Sequence, residues 1–270
     1  GVDYFGPINI TLGRRRGTSM YKAYVCLFVC MSIKAVHMEL VSSLSTNHFL
    51  QAFKRFLSRR GPCGVLYSDQ GTNFIGAKRV LSDLYMFLNS REYTDILMAE
   101  LSTQGVEWKF NPPSAPHMGG IWESQVKSAK SHIYRVIGDQ LLTYEEFATF
   151  LTQIEGLLNS RPLCRLSADP FSPSALTPAH FLTGSPLGNL PAEPILEIPL
   201  NRLDRFQMID RLIQEFWKRW HLEYLNTLQT RKKWYKDSPN IEIGTVVVLK
   251  ADNSPPLHWP LAIVTDVFPG

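Results

Sequence analysis

The stretch GVLYSDQGTNF, residues 64–74, sets an apolar run directly before a carboxylate. A short, continuously apolar run is typical of a strand buried on both faces. The run stops at Asp69, where a turn sequence begins. Because ligands of open α/β sheets bind beyond the carboxyl ends of strands, this pattern predicts that Asp69 lies at a functional edge of a sheet.

Three strand patterns precede this stretch. The opening VDYFGPI is the first, and YKAYVCLFVCMSIKAVHMELV, residues 21–41, is rich in β-branched and aromatic residues and is interrupted near Ser32 and Lys34. An interrupted run of this composition predicts two strands that meet in a hairpin. The chain is therefore expected to begin with three strands.

Helical and extended patterns then alternate. Residues 46–60 predict a helix capped by Thr46 or Asn47, a second helix is expected near residues 75–89, and EWKFNP follows as a strand. This order predicts an α/β domain with helices packed on a mixed sheet. The apolar stripe of the first helix comprises Phe49, Leu50, Phe53, Phe56 and Leu57.

Composition limits the class of protein. The chain has 270 residues, 44% hydrophobic residues and a formal charge of +4, enough for one large domain and a smaller attachment. Four cysteines without a CxxC pair argue against zinc and for a reducing compartment, and Cys26 and Cys30 are expected to be buried thiols. No apolar stretch is long enough to span a membrane.

Basic residues cluster around Lys127 and Arg135 and again between Lys218 and Lys236. Such clusters favour an acidic polymer as partner. Solvated helix faces are an equally weighted alternative.

Residues 112–137 combine a Pro- and Gly-rich loop with a long helical pattern that runs to Gly138. In this helix Glu123, Lys127 and Lys130 lie along one edge. A single Glu in a first helical turn is usually only a partner of the helix dipole. The apolar stripe beside that edge comprises Trp122, Val126, Ala129, Ile133 and Ile137.

Asp3 in the first strand, Asp69 and Glu123 could converge on one point. Three carboxylates without His or Cys suit a hard divalent cation, Mg²⁺ with Mn²⁺ as an alternative. Two such ions support phosphoryl transfer. The sequence thus predicts a carboxylate metal site.

The motifs GVDYFGP, YSDQGTNF and HMGGIWESQVKSAK together resemble the catalytic core of retroviral-type integrases, above all those of Pao/BEL long-terminal-repeat retrotransposons. The resemblance covers roughly residues 1–185, including LNSRPL and LTPAHFLTG. It implies an RNase H-like core with a mixed five-stranded sheet flanked by helices. It also implies that Asp3, Asp69 and Glu123 form the DDE metal triad.

The resemblance further implies that Lys127 and Lys130 contact the element's DNA end. Gln70 and Asn73 contact DNA or serve a turn or cap, with equal weight. His117 is a DNA-contact candidate, although an exposed loop histidine is the commoner case. The interval from Asp69 to Glu123 exceeds the usual retroviral spacing, and the surplus is expected within NSREYTDILMAELSTQG, residues 89–105.

The implied reaction is 3′-end processing followed by strand transfer into target DNA. It implies nuclear action and a homo-oligomer in the synaptic complex, although no clear nuclear signal is visible. Two alternatives remain open: a related RNase H-like nuclease or transposase, and a domesticated, non-catalytic DNA-binding or assembly module.

Three domains are expected along the chain. Residues 1–165 form the catalytic core, residues 166–238 an extended and helical connector, and residues 239–270 the start of an SH3-like domain that is cut short. In the connector, a helical pattern is expected to place Trp217, Trp220 and Tyr224 in a core rather than on DNA. Its phosphate-contact candidates are Arg231, Lys232 and Lys233.

Overall fold

The computed structural model describes most of the chain. The described residues form two compact units, which are treated separately below: the first comprises 1–127 and 140–151, and the second 128–139 and 152–270. The described ranges are 1–15, 17–68, 74–79, 106–110, 129–167, 173–188, 193–228, 241–251 and 254–268.

A four-stranded mixed sheet forms the centre of the first unit. Its strands are β1 (Val2–Thr11), β2 (Met20–Val29), β3 (Val36–Val41) and β6 (Leu142–Thr143), in the order β3-β2-β1-β6. The three consecutive strands pair antiparallel, whereas β6 pairs parallel with the end of β1. The three predicted opening strands, including the hairpin, are confirmed.

Two further strands, β4 (Val65–Ser68) and β5 (Glu107–Phe110), form a separate parallel pair. Strand β4 also lies beside β1. The five predicted strands are thus all present, but within the described residues their hydrogen bonds divide them between two sheets. The expectation that β4 is buried on both faces was wrong: Leu66 and Ser68 are buried, whereas Val65 is exposed.

Helix α1 (Thr46–Arg60) packs on this part of the unit. Its predicted apolar stripe is confirmed, with Phe49 and Phe53 fully buried in a cluster that includes Val2, Leu66 and Trp108. The helix cap was predicted at Thr46 or Asn47, and this prediction was wrong because the N-cap is Ser45. Ser45 has the extended backbone of an N-cap, and its hydroxyl accepts the His48 N–H at 3.4 Å.

The cysteine expectation was half right. Cys26 lies in the middle of β2 and is fully buried. Cys30 directly follows the last residue of β2 and is exposed. Strand β2 ends one residue before Cys30 although the apolar run continues to Met31, which is why the pattern misplaced this thiol.

Residues 74–79 are helical (α2), as are residues 129–137 (α3). Helix α3 stops where Gly138 takes a φ of +50°, a conformation that favours glycine, so the predicted stop is confirmed. Ala129, Ile133 and Ile137 are buried as the stripe predicts. The part of that pattern before residue 129 lies outside the described residues, as does most of the predicted helix at 75–89.

The remaining elements follow in order. The chain passes from α4 (Tyr144–Asn159) through β7 (Cys164–Arg165) and β8 (Ala175–Leu176) to α5 (Pro178–Thr183). A 3₁₀ turn (Leu200–Arg202) precedes α6 (Arg205–Leu228), and β9 (Val246–Val248) and β10 (Leu261–Ile263) end the described chain. Strands β7 and β8 pair antiparallel, as do β9 and β10.

Helix α6 supplies much of the core of the second unit. Trp217, Trp220 and Tyr224 are buried, so their predicted role in packing is confirmed. Trp259 meets Trp217 edge to face, with ring centroids 4.9 Å apart. Phe206 lies in the first turn of the helix, ahead of the buried face, and is 71% exposed.

The described architecture is therefore mixed α/β with several helices. The RNase H-like core, the three domain boundaries and the SH3-like ending stay predictions. Of the last, the described residues contain the β9–β10 pair.

Candidate functional site

Two of the predicted site residues, Asp3 and Lys130, lie in described segments. Nothing follows from the structure for the others, which lie outside the described residues. These are Asp69, Gln70, Asn73, His117, Glu123, Lys127, Arg231, Lys232 and Lys233.

Asp3 lies in β1, opposite Leu27 of β2, and is half-buried. Its Oδ1 accepts the backbone N–H of Tyr4 at 2.6 Å. Successive strand residues point to opposite faces of a sheet, and the neighbours Val2 and Tyr4 pack against the cluster under α1. Asp3 is therefore held on the other face of β1 by a rigid, doubly flanked strand.

The described residues on either side of Asp69 belong to that same cluster. Ser68 is fully buried, and its Oγ accepts the indole N–H of Trp108 in β5 at 2.8 Å. Phe74, the first described residue after the gap, stacks on Tyr4 with ring centroids 5.5 Å apart. The two described residues that flank residues 69–73 in sequence, Ser68 and Phe74, are thus both packed against residues of the core under α1.

The buried thiol of Cys26 is no candidate nucleophile. It lies opposite Tyr4 in the sheet. Burial raises the pKa of Cys26 far above its usual range, and the carboxylates of Glu39 and Asp3 raise it further, against a hydrogen bond from Tyr4 that lowers it. The thiol stays protonated and unreactive at neutral pH.

Lys130 lies near the described start of α3 and is half-buried. Two residues further, His132 is buried, and its Nε2 lies 2.5 Å from the Glu223 carboxylate of α6. The His132 ring also meets Phe216 edge to face. Helix α3 therefore contacts α6 through His132, which makes both a polar and an aromatic contact two residues after Lys130.

Carboxylates of the predicted set suit a hard cation in their chemistry, since Mg²⁺ prefers oxygen ligands. Asp3 fits such a role because its backbone is fixed and its side chain is half-buried on one face of the sheet. In the described part of the chain, no group of three or more His, Cys, Asp or Glu side chains is arranged to hold a metal ion. Because Asp69 and Glu123 lie outside it, the triad stays a prediction.

A buried charge network joins β3 to α1 and was not anticipated. Glu39 is 5% exposed; its carboxylate receives Arg55 Nε at 2.6 Å and Arg59 at 3.0 Å. The Nε2 of His37 lies 2.9 Å from the same carboxylate, and its Nδ1 accepts from Arg60 at 3.3 Å. Because the Arg60 guanidinium only donates, its bond to Nδ1 leaves Nε2 as the ring nitrogen that donates to the Glu39 carboxylate.

The sequence carried one signal for this network. His37 and Glu39 alternate within an apolar strand pattern, and polar residues at alternate positions usually face water. All six residues of β3 are buried instead. The basic residues at the end of α1 cover the polar face, which local alternation does not reveal.

Three comparisons with known proteins add little to this picture. A family of unknown function (DUF5641) matches residues 204–270. No curated protein matches the chain.

None of the helices in the described ranges is long and apolar enough to cross a membrane.

Among solved structures, the chain is similar to one from the simian T-cell lymphotropic virus intasome in complex with PP2A regulatory subunit B56 gamma. The identity is 12% and the TM-score 0.37, over 69% of this chain. The chain spans 56% of the length of that neighbour. A TM-score of this size does not establish a common fold.

Proposed function

We propose that this chain carries the RNase H-like catalytic core of a DDE integrase of a Pao/BEL-type retrotransposon. The observation that carries the proposal is the placement of Asp3. It lies on the central strand β1, next to the strand whose last residue, Ser68, directly precedes Asp69. The motifs around Asp69 and Glu123 add the rest of the donor set.

Asp3, Asp69 and Glu123 would hold two divalent cations, Mg²⁺ or Mn²⁺. When bound, such ions activate an attacking oxygen and stabilise the leaving oxygen in phosphoryl transfer. The chain itself supplies rigidity. Strand pairing and a backbone hydrogen bond hold Asp3, and the Ser68–Trp108 hydrogen bond holds the residue that directly precedes Asp69. Fixed carboxylates need no reorganisation as charge develops.

The substrate is DNA in two roles. Water first hydrolyses a phosphodiester near each 3′ end of the element, which releases a short product and leaves a 3′ hydroxyl. That hydroxyl then attacks a target phosphodiester, so one P–O bond forms as another breaks and no covalent protein intermediate is needed. A buried, protonated Cys26 is consistent with this course.

The remaining assignments concern DNA and assembly. Lys127 and Lys130 would contact the element end, with Gln70, Asn73 and His117 as further contacts near the triad. The basic residues after α6 would contact phosphates; they are Arg231, Lys232 and Lys233. We further propose a homo-oligomer that joins paired DNA ends and acts in the nucleus.

The test is Mg²⁺-dependent joining of a labelled duplex, carrying the element's terminal sequence, to a supercoiled plasmid. Full-length wild-type protein is compared with Glu123→Gln and with the matched control Asp139→Asn, which removes an exposed carboxylate just after α3. We expect Glu123→Gln to lower joining more than about 100-fold. The control should join like wild type.

Other outcomes would overturn the assignment. Joining that survives Glu123→Gln removes this residue from the metal site. Metal-dependent cleavage without joining indicates an RNase H-like nuclease or transposase. DNA binding with neither activity indicates a domesticated, non-catalytic module.

A further inference from the structure

The turn between β1 and β2 carries a concentrated positive charge that the proposed chemistry does not use. Residues 12–22, here called the hairpin tip, read LGRRRGTSMYK, with four basic residues and no acidic one. Arg16 lies outside the described residues. Arg14 is paired with Glu146 of α4, which offsets its charge locally.

Two hydrogen bonds join Thr18 to Arg15 within the hairpin tip. The Thr18 N–H and hydroxyl both donate to the Arg15 carbonyl, at 3.0 and 2.6 Å. Gly17 has a φ of +86°, a left-handed conformation that a side chain would strain. These bonds use the carbonyl of Arg15 and leave its side chain exposed beside the turn.

Large apolar side chains of the hairpin tip are also exposed to water. Leu12 is 69% exposed, Met20 65% and Tyr21 48%. Tyr21 of β2 lies opposite Ile10 of β1. Ile10 is buried whereas Tyr21 is exposed, so the packed part of the sheet ends at this residue pair. Exposed apolar groups gathered at one place mark an interaction site more often than isolated ones do.

Charge decides which partner fits. Glu146 offsets one of the four basic residues of the hairpin tip, so the tip keeps a net positive charge, and such a surface attracts a polyanion. Apolar and aromatic groups among those cations add contacts that a bare phosphate array would not use. Nucleic acid with accessible bases supplies both, because bases stack on aromatic rings while phosphates pair with Arg and Lys.

We propose that the hairpin tip binds single-stranded nucleic acid, with Arg15 and Lys22 on phosphates and Tyr21 against a base. Lys22 is exposed in β2 directly after Tyr21. The hairpin tip follows the last residue of β1, whereas Asp3 lies near the first residue of that strand. It goes beyond the proposed function, since binding there requires no reaction at the carboxylates.

Fluorescence anisotropy of a labelled 20-nucleotide DNA strand and of its duplex, measured from low to physiological salt, tests the proposal. Arg15→Ala/Lys22→Ala should weaken single-strand binding about tenfold and flatten the salt slope by about 1.4, the value for two lost contacts. Lys54→Ala/Arg219→Ala removes the same charge from exposed helix positions and should change binding less. An equal loss of affinity in the two double variants would overturn the proposal, because it would show that binding depends on the total charge of the protein and not on the hairpin tip.

Tyr21→Ala tests the base contact. We expect it to weaken single-strand binding at least about fivefold, with Tyr21→Phe close to wild type, and to affect the duplex less because duplex bases are already stacked. An unchanged affinity, or an equal loss on the duplex, overturns the base contact. Glu123→Gln should keep this binding, so a failure of the proposed chemistry and a failure of the hairpin tip are distinguishable.

Discussion

At the scale of single residues, Trp108 and Ser68 form a buried polar contact, and Ser68 directly precedes Asp69 in the chain. Both side chains are buried, and the indole N–H donates to the hydroxyl at 2.8 Å. Trp108→Phe removes this bond while keeping an aromatic ring in the cluster. We expect a loss of about 1–2 kcal/mol in the free energy of unfolding, measured by urea denaturation.

A double-mutant cycle with Ser68→Ala isolates the bond from the change in ring size. The coupling energy should lie between about 0.5 and 1.5 kcal/mol. Additive single-mutant effects would mean that the bond does not hold β4 to β5.

At the scale of elements, Glu39 joins β3 to α1, and its charge sets a pH dependence. Burial alone would raise the pKa of Glu39, but the hydrogen bonds from His37 and Arg55 and the charge of Arg55 together lower it below its usual value. A lowered pKa in the folded state means that the carboxylate stabilises the fold above its unfolded-state pKa. This contribution is lost as the pH falls through the folded-state pKa.

We therefore expect Glu39→Gln to destabilise the protein at pH 7 by about 1–2 kcal/mol, since solvent screens the partly exposed arginine partners. Urea midpoints of wild type and Glu39→Gln should approach each other as the pH falls below 4.5, the ordinary pKa of a glutamate. Glu145→Gln, at the start of α4 and outside this network, is the matched control. A gap that stays constant down to the lowest pH at which both proteins still fold would contradict the role of the Glu39 charge.

The predicted helix features are confirmed where they depend on the 3.6-residue repeat or on a single backbone conformation. The stripe of α1 and the stop of α3 at Gly138 are both local properties, set by 3.6-residue spacing and by a positive φ. The N-cap of α1 was misassigned because Ser45, Thr46 and Asn47 are all competent caps. Only the backbone conformation at Ser45 selects among them.

At the scale of the whole molecule, the chain builds two cores, and the second depends on aromatic side chains of α6. Trp217 is 2% exposed, and its indole N–H donates to the Ser254 carbonyl at 2.8 Å. Trp217→Ala should cost about 3–5 kcal/mol. Hydrogen exchange of the α6 amides would detect the loss as reduced protection.

Phe206→Ala on the same helix serves as the matched control. Because Phe206 is 71% exposed, its truncation should change stability by less than about 0.5 kcal/mol. Equal effects of the two substitutions would contradict the burial pattern of α6.

The sequence by itself determined the α/β class, the three opening strands, most helix faces and the position of Asp3 on the first strand. Each of these follows from the period of apolar residues and from turn formers, which act over a few neighbouring residues. The DDE assignment also came from sequence motifs, and it stays a prediction for Asp3, Asp69 and Glu123 alike.

Only the tertiary structure decided how strands distant in sequence pair and which polar groups are buried. The addition of β6 to β1 joins residues far apart in the chain, and α1 covers His37 and Glu39 with arginines from another element. The exposed apolar groups of the hairpin tip likewise lie in a pattern that reads as an ordinary strand. These outcomes depend on contacts between distant segments, and local periodicity carries no information about such contacts.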